Sequence, residues 1–97
     1  MTNALMNIQI IPKVEDLEDL YPAVEAAIAL VEGSGLPYEV GALGTTVEGD
    51  LDTLVELARR MNEIVVERGA TSVISQIRIY LGREPISMDG LTAKFRE

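Results

Sequence analysis

The chain has no cysteine and no histidine among its 97 residues, and those two absences remove most of the chemistry a protein of this size could carry. Without cysteine there is no disulfide framework, no thiolate metal site and no thiol nucleophile, and nothing marks a redox compartment. A small metal carrier built on a C-x-x-C loop is excluded on the same ground. Without histidine, most general acid–base and nucleophilic designs also lose their usual member. Carboxylate-only catalysis would need two acids in a pocket with separated pKa values, and no spacing in the sequence selects such a pair. Basic residues are scarce as well: eight Lys and Arg against 16 Asp and Glu give a formal charge of -8, which opposes contact with phosphate backbones and anionic membranes. Neither nucleic acid nor a membrane is an expected partner. The first apolar run stops at Pro12 and the N-terminus carries no basic segment, so neither a secretory signal nor a membrane span is read, and a cytoplasmic protein is expected.

What is present is one strand-helix-strand unit written twice. An apolar content of 47% over 97 residues suits one domain, burying roughly two-thirds of its unfolded surface. Met6, Ile8 and Ile10 alternate with Leu5, Asn7, Gln9 and Ile11 in a first strand. A helix follows, with acidic residues before its start, Pro22 in its first turn, and a stripe of Leu20, Val24, Ala27, Ile28 and Val31. Gly33-Ser34-Gly35 closes it as a C-cap; a phosphate-binding glycine motif would follow a strand instead. Tyr38 to Val40 is a second strand, and Gly41 and Gly44 bracket a turn or bulge. Thr45 to Glu48 is the third strand. Asp50 then caps a second helix whose stripe is Leu51, Leu54, Ala58, Met61 and Val65, closing near Gly69. Ser72 to Leu81 is the last strand, with Ile77 and Ile79 expected beneath the helices and Gln76, Arg78 and Tyr80 on the opposite face.

Two such units interleave as a split βαβ sheet. The expected fold is an α+β ferredoxin-like βαββαβ sandwich over residues 1–97, a four-stranded antiparallel sheet with both helices on one face. Residues 85–97 form a C-terminal tail, with Met88, Leu91 and Phe95 in a short amphipathic turn.

Other uses of this topology fail on particular residues. Pro12-Lys13-Val14-Glu15 stands where an acylphosphatase carries a glycine-rich basic loop. Asn7, Gln9 and Gln76 replace the sheet aromatics of an RNA-recognition domain. Glu48, Asp50 and Asp52 resemble the start of a calcium loop, but Thr53 stands at the glycine position and Arg59 at that of the bidentate glutamate. What remains is a polar sheet face of Asn7, Gln9, Gln76 and Arg78 beside the Thr45–Glu48 strand. Leu5, Ile11, Ile74 and Tyr80 add apolar area to it, which points to oligomerisation.

Ile10-Ile11-Pro12, the stretch S-G-L-P-Y-E-V-G-A-L-G-T-T-V-E-G from Ser34 to Gly49, and R-G-A-T-S-V-I-S-Q-I-R-I from Arg68 to Ile79 together resemble the thiamine-binding, YkoF-like family of small ferredoxin-like proteins. The resemblance implies a non-enzymatic protein that binds thiamine or its hydroxymethylpyrimidine moiety as a homodimer or homotetramer, with no metal and no required cofactor. Thr45 and Glu48 match the motif. After the last strand Leu81-Gly82-Arg83-Glu84-Pro85 departs from the family, so contacts from that segment are not carried over. For such a ligand, the amides of Asn7, Gln9 and Gln76 match the donors and acceptors of an aminopyrimidine. The hydroxyl of Thr45 or Thr46 serves either role, Glu48 accepts from an amine or faces the thiazolium, and Tyr38 or Tyr80 stacks on a ring. With Arg78, the candidate ligand-binding residues are Asn7, Gln9, Tyr38, Thr45, Thr46, Glu48, Gln76 and Arg78. The rival reading is an amino-acid-sensing or purely self-assembling module.

Overall fold

The computed structural model describes residues 3–95. Strands β1 (Ala4–Lys13), β2 (Tyr38–Val40), β3 (Thr45–Gly49) and β4 (Ser72–Leu81) form one antiparallel sheet in the order β2-β3-β1-β4. Helix α1 (Leu20–Gly33), entered through a 3₁₀ turn at Leu17–Asp19, joins β1 to β2, and α2 (Leu51–Glu67) joins β3 to β4. This is the expected βαββαβ order. The helices share one face, because Ala4, Met6 and Ile8 of β1 and Val47 of β3 form a single core with residues of both helices. Alternation along a strand sends every second residue to one side, and these positions share that parity.

Small residues set how closely α1 approaches. Ala23, Ala27 and Val31 are its buried positions, so the stripe is rotated from the one read in the sequence. Val24 and Ile28 are half-buried and line a cavity instead of the close-packed core. Helix α2 buries Leu54, Leu57, Ala58, Met61 and Val65, adding Leu57 to the expected set and leaving Leu51 only half-buried at the helix start. Its start is fixed by Asp50, whose carboxylate accepts from the Thr53 N–H at 2.7 Å. Its end is a Schellman turn: Gly69, at φ +111°, donates to Val66 and Ala70 donates to Val65.

The sheet is ragged, and the raggedness makes the site. All ten residues of β1 pair with β4, but only Ala4 to Ile8 pair with β3. From Gln9 onward β1 therefore has an open side, which is why Pro12, lacking an N–H, is tolerated inside a strand. The β2–β3 connection lies beside this open stretch.

One expectation is corrected, and one left open is resolved. Ile77 and Ile79 do lie on the helix side, but they remain 41% and 45% exposed, because β4 is an edge strand and the helices do not cover it. The tail, for its part, docks on this subunit. A short helix α3 (Met88–Thr92) and a 3₁₀ turn (Ala93–Phe95) follow Ser87, whose hydroxyl accepts from the Gly90 N–H. The Met88 N–H donates to Glu48 Oε1 at 2.9 Å. The last two residues of the 85–97 tail lie outside the described residues.

Candidate functional site

Opposite the helices, three strands bring one polar cluster together. Asn7 on β1 stands across from Thr46 on β3 and Arg78 on β4, and Gln9 stands across from Gln76. Asn7 Nδ2 donates to Thr46 Oγ1 at 2.9 Å, and Arg78 Nη2 donates to Asn7 Oδ1 at 3.4 Å. Both ends of the Asn7 amide are thus committed within the protein. Among the described residues Gln9 and Gln76 make no side-chain hydrogen bond, so their amides face outward with donor and acceptor available.

The Gly41–Gly44 connection walls this cluster. The Gly41 N–H donates to the Gly44 carbonyl at 2.9 Å, closing a tight turn. Gly44 then packs against β1 so closely that a Cβ there would stand 2.8 Å from Asn7 Oδ1 and 3.2 Å from the Ile8 carbonyl oxygen. Only glycine allows that approach, which holds Asn7 in place from a third side. Two adjoining depressions result. One of 360 Å³ is lined by Asn7, Glu39, Thr46 and Arg78 with the connection. The other, of 320 Å³, is lined by Asn7, Gln9, Leu43, Gln76 and Arg78. Sharing Asn7, Leu43 and Arg78, they make one groove, and each has the volume of a small-molecule site.

A separate cavity of 190 Å³ lies on the helix side of the same connection, lined by Ile8, Ile10, Val24, Ile28, Val40 and Thr45 among others. Its lining exposes polar and apolar surface in equal measure, and its volume is below the range of about 300–1,000 Å³ usual for drug-sized ligands.

The eight candidate residues are therefore divided. Asn7, Gln9, Thr46, Gln76 and Arg78 come together in the open-face groove. Thr45 is on the other side of the sheet, 6% exposed, and lines the helix-side cavity. Tyr38 pairs with inward Val47 and so shares that side, away from the amides. Glu48 is on the open face, opposite Leu5, but its carboxylate holds the tail. Leu5 is 8% exposed at that end.

Two groove residues were missed in the sequence. Glu39 pairs with Thr46, and strict alternation through Tyr38-Glu39-Val40 would have found it. Leu43, highly exposed on the connection and lining both depressions, carried no signal beyond its place between two glycines.

The groove offers amides, one hydroxyl, one guanidinium and one carboxylate around an apolar wall, which suits recognition of a flat polar heterocycle. Among the described residues no group of three or more potential metal ligands gathers, and no helix is long and apolar enough to cross a membrane.

Comparison with known proteins agrees with this architecture. A family model described as thiamine-binding protein matches residues 6–95. A UPF0045 protein of Clostridium perfringens is 38% identical over 96 residues, covering 99% of this chain and all of that one. The solved structure of a domain of unknown function, DUF77, from Bacillus cereus superposes with a TM-score of 0.93 at 34% identity, over 99% of this chain and 92% of that one. A Thermotoga maritima protein given a provisional role in thiamine biosynthesis or salvage superposes with a TM-score of 0.86 at 26% identity, over 97% and 99%. With the match spanning the sheet, both helices and the tail, the chain belongs to the thiamine-binding protein family.

Proposed function

We propose that this protein binds thiamine, or its hydroxymethylpyrimidine half, without chemical turnover, in the open-face groove and as a homo-oligomer. Family membership supports the ligand class. The observation that carries the location is the convergence of Asn7, Gln9, Thr46, Gln76 and Arg78 from three adjacent strands beside Leu43. Gln9 and Gln76 face each other across the β1–β4 pair, and together present the alternating donors and acceptors that an aminopyrimidine edge needs. Asn7, already bonded at both ends, positions Thr46 and Arg78 and does not read the ligand itself. Glu39 at the groove wall supplies the negative charge a thiazolium favours. No metal and no cofactor enter this reading.

Thr45, the residue that matches the family motif, lines the helix-side cavity, and this favours a second placement in which the ring slips beneath the connection. Calorimetry with thiamine and with hydroxymethylpyrimidine separates the two. Losing a ligand hydrogen bond costs about 0.5–1.5 kcal/mol, so Gln76→Ala should weaken binding by about two- to tenfold while Thr45→Val leaves it unchanged. The reverse pattern moves the ligand to the helix side. Absence of binding by the wild-type protein at millimolar ligand overturns both, in favour of an amino-acid-sensing or self-assembling module.

A further inference from the structure

The groove is floored by two unlike rows of side chains. Glu39 pairs with Thr46, Thr46 with Asn7, and Asn7 with Arg78. Residues paired in an antiparallel ladder share a face, so these four form one row across all four strands. It has a carboxylate at one end and a guanidinium at the other. The next row, about 7 Å further along the strands, holds only Gln9 and Gln76, because β3 begins opposite Ile8 and offers no partner beyond it. That row is neutral. The two depressions divide in the same way: Glu39 and Thr46 line one, Gln9 and Gln76 line the other, and Asn7, Leu43 and Arg78 border both.

Hydrogen bonds give the long row a direction. Arg78 donates to Asn7 and Asn7 donates to Thr46, so the donors run from β4 toward β2, and the Thr46 hydroxyl, having accepted, keeps its own proton to give. Charge runs the same way. Among the described residues Glu39 is the one carboxylate lining either depression, so a cation is attracted toward β2 and repelled beside Arg78 at the Gln76 end. We infer that the groove is two sites, each reading one ring: a neutral aminopyrimidine over Gln9 and Gln76, and an N-alkylated, cationic azolium over Thr46 and Glu39, with discrimination against the same azole when it is uncharged. The inference deepens the ligand reading above and rests on it for the presence of both rings in one molecule.

The orientation is fixed by this arrangement. Reversing the molecule would set its cation beside Arg78 and leave Glu39 facing a neutral ring. A consequence concerns ligand that is cleaved elsewhere. Hydrolysis of the bridge between the rings puts a hydroxyl on the pyrimidine's methylene, leaves the bonding pair on the thiazole nitrogen, which becomes neutral, and releases one proton. The thiazole then loses the charge that Glu39 attracts, whereas the pyrimidine keeps every group that Gln9 and Gln76 bind. The groove thus retains the pyrimidine half and lets the other go.

Titrations followed by amide resonances test this with four ligands: thiamine, hydroxymethylpyrimidine, an N-methylated hydroxyethylthiazolium salt and the neutral hydroxyethylthiazole. The pyrimidine should shift Gln9 and Gln76, the thiazolium should shift Glu39 and Thr46, and saturation with one should leave the affinity for the other within about twofold, as for independent sites. The thiazolium should bind about threefold more tightly than the neutral thiazole, the size of one exposed ion pair. That preference should vanish at about 1 M salt, where the screening length is about 3 Å. Glu39→Gln should lower thiazolium affinity more than pyrimidine affinity, and Gln76→Ala should do the reverse. Competition between the two rings, each of which binds alone, overturns the separate sites and leaves the ligand reading intact. Equal binding of charged and neutral thiazole, or a preference that survives high salt, overturns the charge assignment. These arms use the wild type, so they decide even where a variant fails to fold. If the thiazolium shifts Glu39 and Thr46 while neither thiamine nor the pyrimidine binds, the thiamine reading fails and the cation site stands. Silence from all four ligands overturns both.

Discussion

Met6 is fully buried beneath the helices, while Asn7, one residue later, bridges Thr46 and Arg78 on the open side. The same strands deliver both. On the helix side the alternation yields Ala4, Met6, Ile8, Val47 and the buried faces of two helices. On the open side it yields amides, a hydroxyl and a guanidinium, with a short tail docked at one end through Glu48. Because the strand period is two, the faces are set independently, so one can be packed for stability while the other is left polar for recognition.

The sharpest way to break that division is to truncate one residue on each side. Leu54, fully buried between α2 and the sheet, should cost about 2–5 kcal/mol when replaced by alanine. Exposed Gln76→Ala should stay within about 0.5 kcal/mol of wild type. Urea unfolding measures both, and comparable losses would mean that the open face is part of the folding core.

Gly44→Ala is expected next in size, because it presses on both faces at once. The new methyl would meet Asn7 Oδ1, which can swing away, and the Ile8 carbonyl, which cannot without moving β1. A loss of about 1–3 kcal/mol follows. Asn7 should also turn out of its bonds to Thr46 and Arg78, seen as a shift of its side-chain amide resonances. Unchanged resonances would show that the connection does not hold the cluster.

How much of this was legible beforehand differs between the faces. Parity along β1 and β4 placed Asn7, Gln9, Gln76 and Arg78 together correctly, since alternation is a local property of the chain. Asp50 as cap and Gly69 as terminator were readable for the same reason. Thr45 and Tyr38 were grouped with the amides on motif and chemistry, although period two sends Thr45 and Thr46 to opposite faces. The exposure of Ile77 and Ile79 was not local at all. It depends on how far the helices reach over an edge strand, a matter of layer geometry to which hydropathy is blind. The groove likewise arises because β3 begins only opposite Ile8 of β1, a length mismatch visible only once register is known. Glu48 looked like a ligand residue because nothing in the sequence announced that the tail would fold back onto it.

That last contact separates the occupied end of the open face from its vacant end. Glu48→Ala removes the acceptor of the Met88 N–H and should cost about 1 kcal/mol, with faster amide exchange confined to residues 86–95. If exchange there is unaffected, the tail is held by packing alone. Binding of thiamine should change little, because the groove lies at the Gln9–Gln76 end.

The smallest expected effect is an acid response arising in the helical layer. Hydrogen bonds from Thr53, first its N–H and then its side chain, hold the Asp50 carboxyl below its ordinary value of 3.8. A hydrogen bond from Arg59, reinforced by the charges of Arg59 and Arg60, holds Glu56 below 4.5. Arg59 also donates to Glu63 at 2.7 Å, and its own pKa is raised, chiefly by the hydrogen bond with Glu56. In both acids the folded pKa lies beneath the unfolded one, so the unfolded chain binds more protons and stability rises with pH across the interval between them. The contribution is fully present above the unfolded values and disappears as pH falls through the folded ones, below about pH 5. Both groups are solvent-exposed and screened, so the effect is small. Asp50→Asn separates capping from charge, since asparagine caps as well as aspartate. At neutral pH the variant should unfold at nearly the wild-type urea concentration, and below about pH 5 its midpoint should fall less steeply than that of the wild type. Identical slopes would move the acid response away from the start of α2.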